Sequence, residues 1–293
     1  MAVEERDPHT GYLTTGHEWN GITELNTPVP RAVYFFLITT FLFSVGYWIL
    51  MPAWPLGVSF TKGLLGIDQR EIVTQSLQEA ALERSAWTKR IEAESFNQIR
   101  ADAGLMKVVR ETGRTLFGDN CAACHGTNAK GSKGFPNLTT SAWLWGGSPE
   151  KIAETIRVGV NSGHANARSS QMLAFGRDQV LKRNDIDNVV AYVRSLSAAV
   201  AVGGMQAKAV EAGRAVFAAN CASCHGDEGK GNPELGAPDL TDNVWLYGGD
   251  EGSIYATVWG GRQGLMPSWE SRLSALDRKI LTLYLVDLRA VKP

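Results

Sequence analysis

Hydrophobic and polar positions divide the chain into stretches of different character. Residues 1–31 mix acids, bases and neutral polar residues and end in the breaker-rich run Asn26-Thr27-Pro28-Val29-Pro30-Arg31. From Ala32 to Met51 the sequence AVYFFLITTFLFSVGYWILM carries no charged residue. A helix of about 20 apolar residues crosses a bilayer core of roughly 30 Å. Tyr34, Tyr47, Trp48 and Trp54 lie near its ends, where amphipathic rings favour the interface. One transmembrane helix over 32–53 is therefore expected, after a 1–31 N-terminal segment. The run exceeds the about 7–15 apolar residues of a cleaved signal, and its leader carries acids beside Arg6 and Arg31, so an uncleaved anchor is expected. The flanking bases (Arg6 and Arg31 before, Lys62 and Arg70 after) are too evenly divided to set its orientation. Between Asp68 and Arg110 the chain is charged and free of proline, with Leu77, Ala81, Trp87, Ile91 and Ile99 at helical intervals. This predicts a helical connector over 54–109 whose stripe packs on a neighbour.

The remainder repeats itself. GRTLFGDNCAACHG from Gly113 is answered by GRAVFAANCASCHG from Gly213. Pro136-Asn137-Leu138-Thr139 is answered by Pro238-Asp239-Leu240-Thr241, and Trp143-Leu144-Trp145-Gly146-Gly147 by Trp245-Leu246-Tyr247-Gly248-Gly249. Tyr192 and Tyr284 lie in matching closing segments. The same order in both copies marks a duplicated, mainly α-helical domain. The expected copies are 110–200 and 201–293, with the small, flexible Ala198–Gly204 as boundary. Gly113/Phe117 and Gly213/Phe217, with the two tyrosines, read as small–aromatic pairs that let helices cross closely.

Composition narrows the function. A hydrophobic share of 44% suits folded domains, and a net charge of −1 lacks the basic excess that nucleic-acid binding needs. All four cysteines fall in two pairs, Cys121/Cys124 and Cys221/Cys224, each followed directly by a histidine. Cys-x-x-Cys-His is the signature of covalent c-type haem attachment. Two thiols on one turn form thioethers with the haem vinyls, and His125 or His225 falls beneath the iron. A structural zinc needs about four ligands, which neither module supplies. A redox dithiol belongs near a βαβ pattern, and these surroundings are helical and rich in glycine.

Electron-transfer haems commonly take a second protein ligand, often methionine. Of six methionines, Met1 starts the chain, Met51 ends the apolar run, and Met106 and Met205 precede the attachment helices. Met172 and Met266 remain, each between a haem motif and the last helix of its repeat, with ordinary core filling as the bland alternative. Sequence order pairs Met172 with the first haem and Met266 with the second. His164, in a stretch of extra residues in the first repeat, is a competing ligand but reads better as a surface or haem-edge residue. His9 and His17 read as solvated tail residues. Trp143 and Trp245 are candidates to line the haem pockets with their indole N–H free for a propionate, ordinary burial being the equal alternative.

The repeats resemble class I cytochrome c domains. The whole chain is similar to the dihaem subunit of cbb3-type cytochrome c oxidases, the CcoP or FixP type. The likeness rests on Gly16-His17-Glu18-Trp19-Asn20-Gly21-Ile22, Glu24-Leu25-Asn26-Thr27-Pro28, the single span ending Pro52-Ala53-Trp54-Pro55, and the two haem modules. The resemblance implies two covalent haem c groups held by Cys121, Cys124, Cys221 and Cys224, with His125, Met172, His225 and Met266 as axial ligands; it also allows the methionines to cross between modules. It implies electron transfer without an independent catalytic site, from a soluble cytochrome c or the bc1 complex to a monohaem cytochrome c subunit and a catalytic haem b/copper subunit. Covalent haem attachment occurs on the periplasmic side of the bacterial inner membrane, so the N-terminus is expected in the cytoplasm. Two alternatives stay open: a membrane dihaem cytochrome serving another respiratory complex, and a haem peroxidase.

Overall fold

The computed structural model describes residues 5–197 and 205–290. Residues up to 83 and residues from 84 onward form two compact units. The expected Ala198–Gly204 boundary lies outside the described residues.

In the first unit, β1 (Thr14–Trp19) pairs antiparallel with β2 (Ile22–Leu25), with Trp19 opposite Ile22. Asn20 and Gly21 both have positive φ, 53° and 85°, as a two-residue hairpin turn requires. Helix α1 (Arg31–Leu50) has a mean hydropathy of 1.9 and buries none of its residues in the protein. An apolar helix bare on all sides needs a nonaqueous surrounding. Its hydroxyls are satisfied internally: Thr40 donates to the Phe36 carbonyl and Ser44 to that of Thr40. Beyond the helix the chain turns back, and the Leu64 and Leu65 amides donate to the Ile49 and Leu50 carbonyls. That satisfies acceptors a helix end leaves open.

Helix α2 (Gln69–Ala93) and α3 (Phe96–Ala101) form the connector. Its stripe divides: Leu77 and Ala81 are exposed, whereas Ile91 and Ile99 are fully buried and Trp87 partly so. Helix α4 (Ala103–Asn120) starts on Asp102, whose carboxylate accepts from the Gly104 and Leu105 amides. Residue 110 falls inside this helix, and Leu105, Met106 and Val109 already belong to the core. Met106 thus lies within the attachment helix, as Met205 does at the start of α8 (Met205–Asn220).

The remaining helices are α5 (Ala122–His125), α6 (Pro149–Val158), α7 (Arg183–Leu196), α9 (Ala222–His225), α10 (Glu251–Gly260) and α11 (Ala275–Ala290). They build two cores, and neither follows the repeat boundaries. The closing helix of the second repeat, α11, packs on α4 and α6 of the first. The closing helix of the first repeat, α7, packs on α8 and α10 of the second. One core gathers Val109, Phe117, Ile152, Leu281 and Leu283; the other gathers Ile186, Val189, Phe217, Ile254 and Val258. The second core is thus built from one continuous stretch in permuted order, while the first is interrupted by it and completed by the C-terminal segment.

Glycines set the helix crossings. A methyl group at Gly113 would lie 2.6 Å from Tyr284 Cβ, and one at Gly213 would run into the Asn188 carbonyl and sit 2.9 Å from Tyr192 Cβ. Phe117 meets Tyr284 at 5.9 Å between ring centroids, and Phe217 meets Tyr192 at 5.2 Å. The small–aromatic pairs read from the sequence exist, but each joins one repeat to the other.

Gly113→Ala and Gly213→Ala each gain about 1 kcal/mol of helix propensity. Forcing a methyl into a filled crossing costs about 1–3 kcal/mol. Both variants should therefore melt lower than the parent in a thermal scan, Gly213→Ala further, because it meets backbone. A chain ending at residue 200 should leave the Cys121 core uncooperative in denaturant titration, because α11 is missing; two independent tandem domains would leave it folded.

Candidate haem-binding sites

Each attachment motif begins where its long helix ends. Cys121 closes α4 with its amide on the Phe117 carbonyl at 2.8 Å, and Cys221 closes α8 on Phe217 at the same distance. The single turns α5 and α9 then place each histidine one turn beyond its first cysteine, and Gly126 and Gly226, at φ 75° and 76°, end them. The chain folds back so that His125 Nδ1 lies 3.0 Å from the Pro136 carbonyl and His225 Nδ1 lies 3.1 Å from that of Pro238. A carbonyl only accepts, so Nδ1 carries the proton and Nε2 keeps its lone pair for a metal. Burial lowers both histidine pKa values, outweighing the carbonyl bond, and so favours the neutral imidazole.

Burial, reinforced by the neighbouring cysteine, pushes the Cys121 and Cys221 thiols up to about 11. A redox dithiol has its reactive thiol lowered instead. Among the described residues no cluster of three or more His, Cys, Asp or Glu side chains forms a metal site. Cys124 and Cys224 are exposed, which puts one edge of each motif at the surface.

The methionines sit opposite to sequence order. Met266 lines one cavity with Cys121 and His125, walled by Phe117, Leu138, Ile156, Trp269, Leu281 and Leu285. Met172 packs against the other core, the one that holds Phe217 and against which Cys221 and Leu240 also pack. Sequence order placed Met172 with the first motif; the structure instead sets Met266 beside Cys121 and His125. The cause is backbone pairing. Met266 exchanges amide and carbonyl with Val160, both at 2.9 Å, just after α6. Met172 does so with Arg262, at 2.8 and 3.0 Å, just after α10. Gly159 and Gly261, with φ of 72° and 67°, permit this approach; a Cβ on either would strike the methionine-bearing strand. The glycine repeated after each third helix signals a close backbone approach there, but not which methionine makes it.

His164 is no ligand competitor. Its Nδ1 accepts from the Asn166 amide at 2.9 Å and its Nε2 lies 2.7 Å from Glu270, so both nitrogens are engaged. Glu270 also receives Arg157 at 2.9 Å, and Arg157 holds Glu154. This network fastens the first repeat's extra loop to the strand carrying Met266. Trp143 does not keep its N–H free: it donates to the Thr140 carbonyl at 2.8 Å. His17 lies 3.6 Å from Glu24 and is exposed; His9 is exposed as well.

Cys121, His125 with its Nε2 lone pair free and the Met266 thioether around one apolar cavity form a donor set that fits a haem c.

The Glu270 carboxyl is held below the ordinary carboxylate range, first by His164 and then by Arg157. A depressed folded pKa means stabilisation that is present above that range and is lost as pH falls through the folded value. The Met266 strand should loosen on acidification. Glu270→Gln should weaken it already at neutral pH and flatten the acid step, followed by the methionine-to-iron charge-transfer absorption.

A family model described as the N-terminal domain of cytochrome oxidase-cbb3, FixP, matches residues 11–58. Cytochrome c matches 110–197, and cytochrome C oxidase, cbb3-type, subunit III matches 208–285. The chain is similar to the cbb3-type cytochrome c oxidase subunit FixP of Bradyrhizobium sp. (strain ORS 278), 48% identical with 97% of each chain covered. It is 46% identical to that of Bradyrhizobium diazoefficiens, again over 97% of each chain. It is 40% identical to the subunit CcoP of Azospirillum brasilense, over 98% of this chain and 99% of the relative. Two cytochrome c domains in this setting mean two covalently bound haem c groups. With its apolar anchor helix, its two haem motifs and these relatives along nearly its full length, the chain belongs to the FixP/CcoP family of cbb3-type cytochrome c oxidase subunits.

Proposed function

We propose that the chain is the membrane-anchored electron-delivery subunit of a cbb3-type oxidase, with its axial ligands crossed between repeats. The observation that carries the ligand set is the shared cavity of Cys121, His125 and Met266. In this reading Cys121 and Cys124 hold the first haem and His125 and Met266 close its iron. Cys221 and Cys224 hold the second, closed by His225 and Met172. Bound haem c supplies a one-electron iron centre. The residues do the rest: Pro136 and Pro238 fix each imidazole, the Val160 and Arg262 strands fix each thioether, and the apolar walls exclude water. With a histidine and a methionine to hold each iron, neither site would leave the open position a peroxidase needs.

Helix α1 anchors the chain in a bacterial inner membrane, with residues 1–31 cytoplasmic and the haem modules periplasmic, where covalent haem attachment takes place. Electrons arrive from a soluble cytochrome c or the bc1 complex. They leave to a monohaem cytochrome c subunit and from there reach the catalytic haem b/copper subunit that reduces oxygen. The family-like N-terminal segment and anchor are the parts available to partner helices, and the haem modules those available to the donor.

Purification through a tag on this chain should recover a haem b- and copper-containing oxidase that takes up oxygen. Recovery of this chain alone, with normal oxygen reduction in cells lacking it, would assign it to another respiratory complex. The crossing has its own measurement. In a Cys121→Ala/Cys124→Ala background, which retains one haem, Met172→Ala should abolish the methionine-to-iron band and lower the potential. Met266→Ala should leave both unchanged there; the reverse pattern would restore the uncrossed assignment.

A further inference from the structure

Among the described residues, Arg168 and Arg262 have no counter-ion. Arg168 donates from Nε to Thr155 Oγ1 at 2.8 Å and from Nη2 to the Lys151 carbonyl at 3.2 Å. Its guanidinium carbon lies 5.0 Å from the centre of the Trp145 ring. Arg262 donates from Nε and Nη2 to Thr257 Oγ1, at 3.1 and 2.9 Å, and lies 4.4 Å from the Tyr247 ring centre. Every acceptor is neutral. Among the described residues no carboxylate comes within ion-pair distance of either; Glu154 and Glu234 feel Arg168 only at longer range. Both arginines are half-buried. A cation removed from much of its water and given only neutral partners is a costly arrangement unless an anion completes it.

The two settings are equivalent, but the two residues are not. Thr155 and Thr257 hold the same place in matching helices, as do Trp145 and Tyr247 in matching loops. Arg262 directly follows Gly261, whereas Gly159 is followed by Val160. The first repeat supplies its guanidinium from further along: its extra loop returns so that the Arg168 amide donates to the Gly159 carbonyl at 3.1 Å and the Asn161 amide to the Arg168 carbonyl at 2.7 Å. Duplication alone does not produce this. Two different chain paths bring the same cation to the same threonine and aromatic face, which points to one requirement shared by both sites.

The position says what the requirement is. Thr155 adjoins Ile156, a wall of the cavity shared by Cys121, His125 and Met266, and Thr257 adjoins Val258 in the core around Met172 and Cys221. Haem brings two carboxylates into an otherwise apolar cavity. We propose that Arg168 anchors a propionate of the haem on Cys121/Cys124 and that Arg262 anchors one of the haem on Cys221/Cys224, each oriented by its threonine and aromatic ring. This rests on the haem reading above. An arginine fork matches a carboxylate in two parallel hydrogen bonds, and a neutralised propionate no longer stabilises ferric iron.

The test is a potentiometric titration of the full chain in detergent with both haems attached. Arg168→Gln should lower one of the two one-electron waves by about tenfold in its equilibrium constant, about 59 mV. Arg262→Gln should lower the other, and lysine at either position should recover most of the shift by restoring the charge. Thr155→Val should move the same wave as Arg168→Gln, by less, and covers the case in which the glutamine variant folds poorly. Unmoved waves with two haems attached, both arginines acting on one wave, or lysine and glutamine shifting a wave alike would overturn the proposal. A parent chain lacking two covalent haems by intact mass would instead overturn the haem reading.

Discussion

The close crossing of helices at Gly113 and Gly213 is the constraint on which the haem modules depend. Each glycine faces the body of a tyrosine on a closing helix, Tyr284 or Tyr192, at a separation that leaves no room for a methyl group. Phe117 and Phe217, one turn on, seal the crossing against the same rings and are almost fully buried. The first cysteine of each haem motif follows four residues later, so the crossing fixes where the motif emerges and which wall it meets. Ion pairs between the same helices, such as Arg110 with Asp287, are exposed on the arginine side and contribute only about 0–1 kcal/mol. Apolar contact holds the helices together.

The path of the chain follows from which helix reaches which crossing. Helix α7 ends just before α8 begins, so it is the closing helix nearest in sequence to the second attachment helix, and it packs there. That leaves α4 to be closed by α11, far along the chain. The second core is consequently local in sequence, while the first needs contacts across most of the duplicated region. Long-range closure carries the greater loop entropy and is the slower event. The first core cannot be complete until the C-terminal helix and the Met266 strand have returned to it.

At the seam between modules, the crossing makes each site depend on both repeats. The Val160–Met266 and Met172–Arg262 exchanges are isolated antiparallel bridges at the two ends of one excursion of the chain. His164 and Glu270 join the excursion to its return, and Trp145 lies across Gly236 of the other module. A change in one repeat is therefore felt at the other repeat's thioether, through backbone hydrogen bonds rather than through solvent.

The sequence by itself determined the chemistry. Cys-x-x-Cys-His twice, in matching surroundings, identified the cofactor, and the uncharged run from Ala32 identified the anchor, because both signals are local. The repeat also named the right glycines, phenylalanines and tyrosines. What it could not name was the partner of each, since two equivalent crossings accept either closing helix and periodicity is identical in both. Tertiary structure decided that Met266 shares a cavity with Cys121 and His125 while Met172 packs against the other core. It also closed His164 as a ligand by engaging both of its nitrogens, and brought Arg168 back to the place Arg262 holds directly. Local sequence specifies what a residue can bind; only the path of the chain specifies which residue it meets.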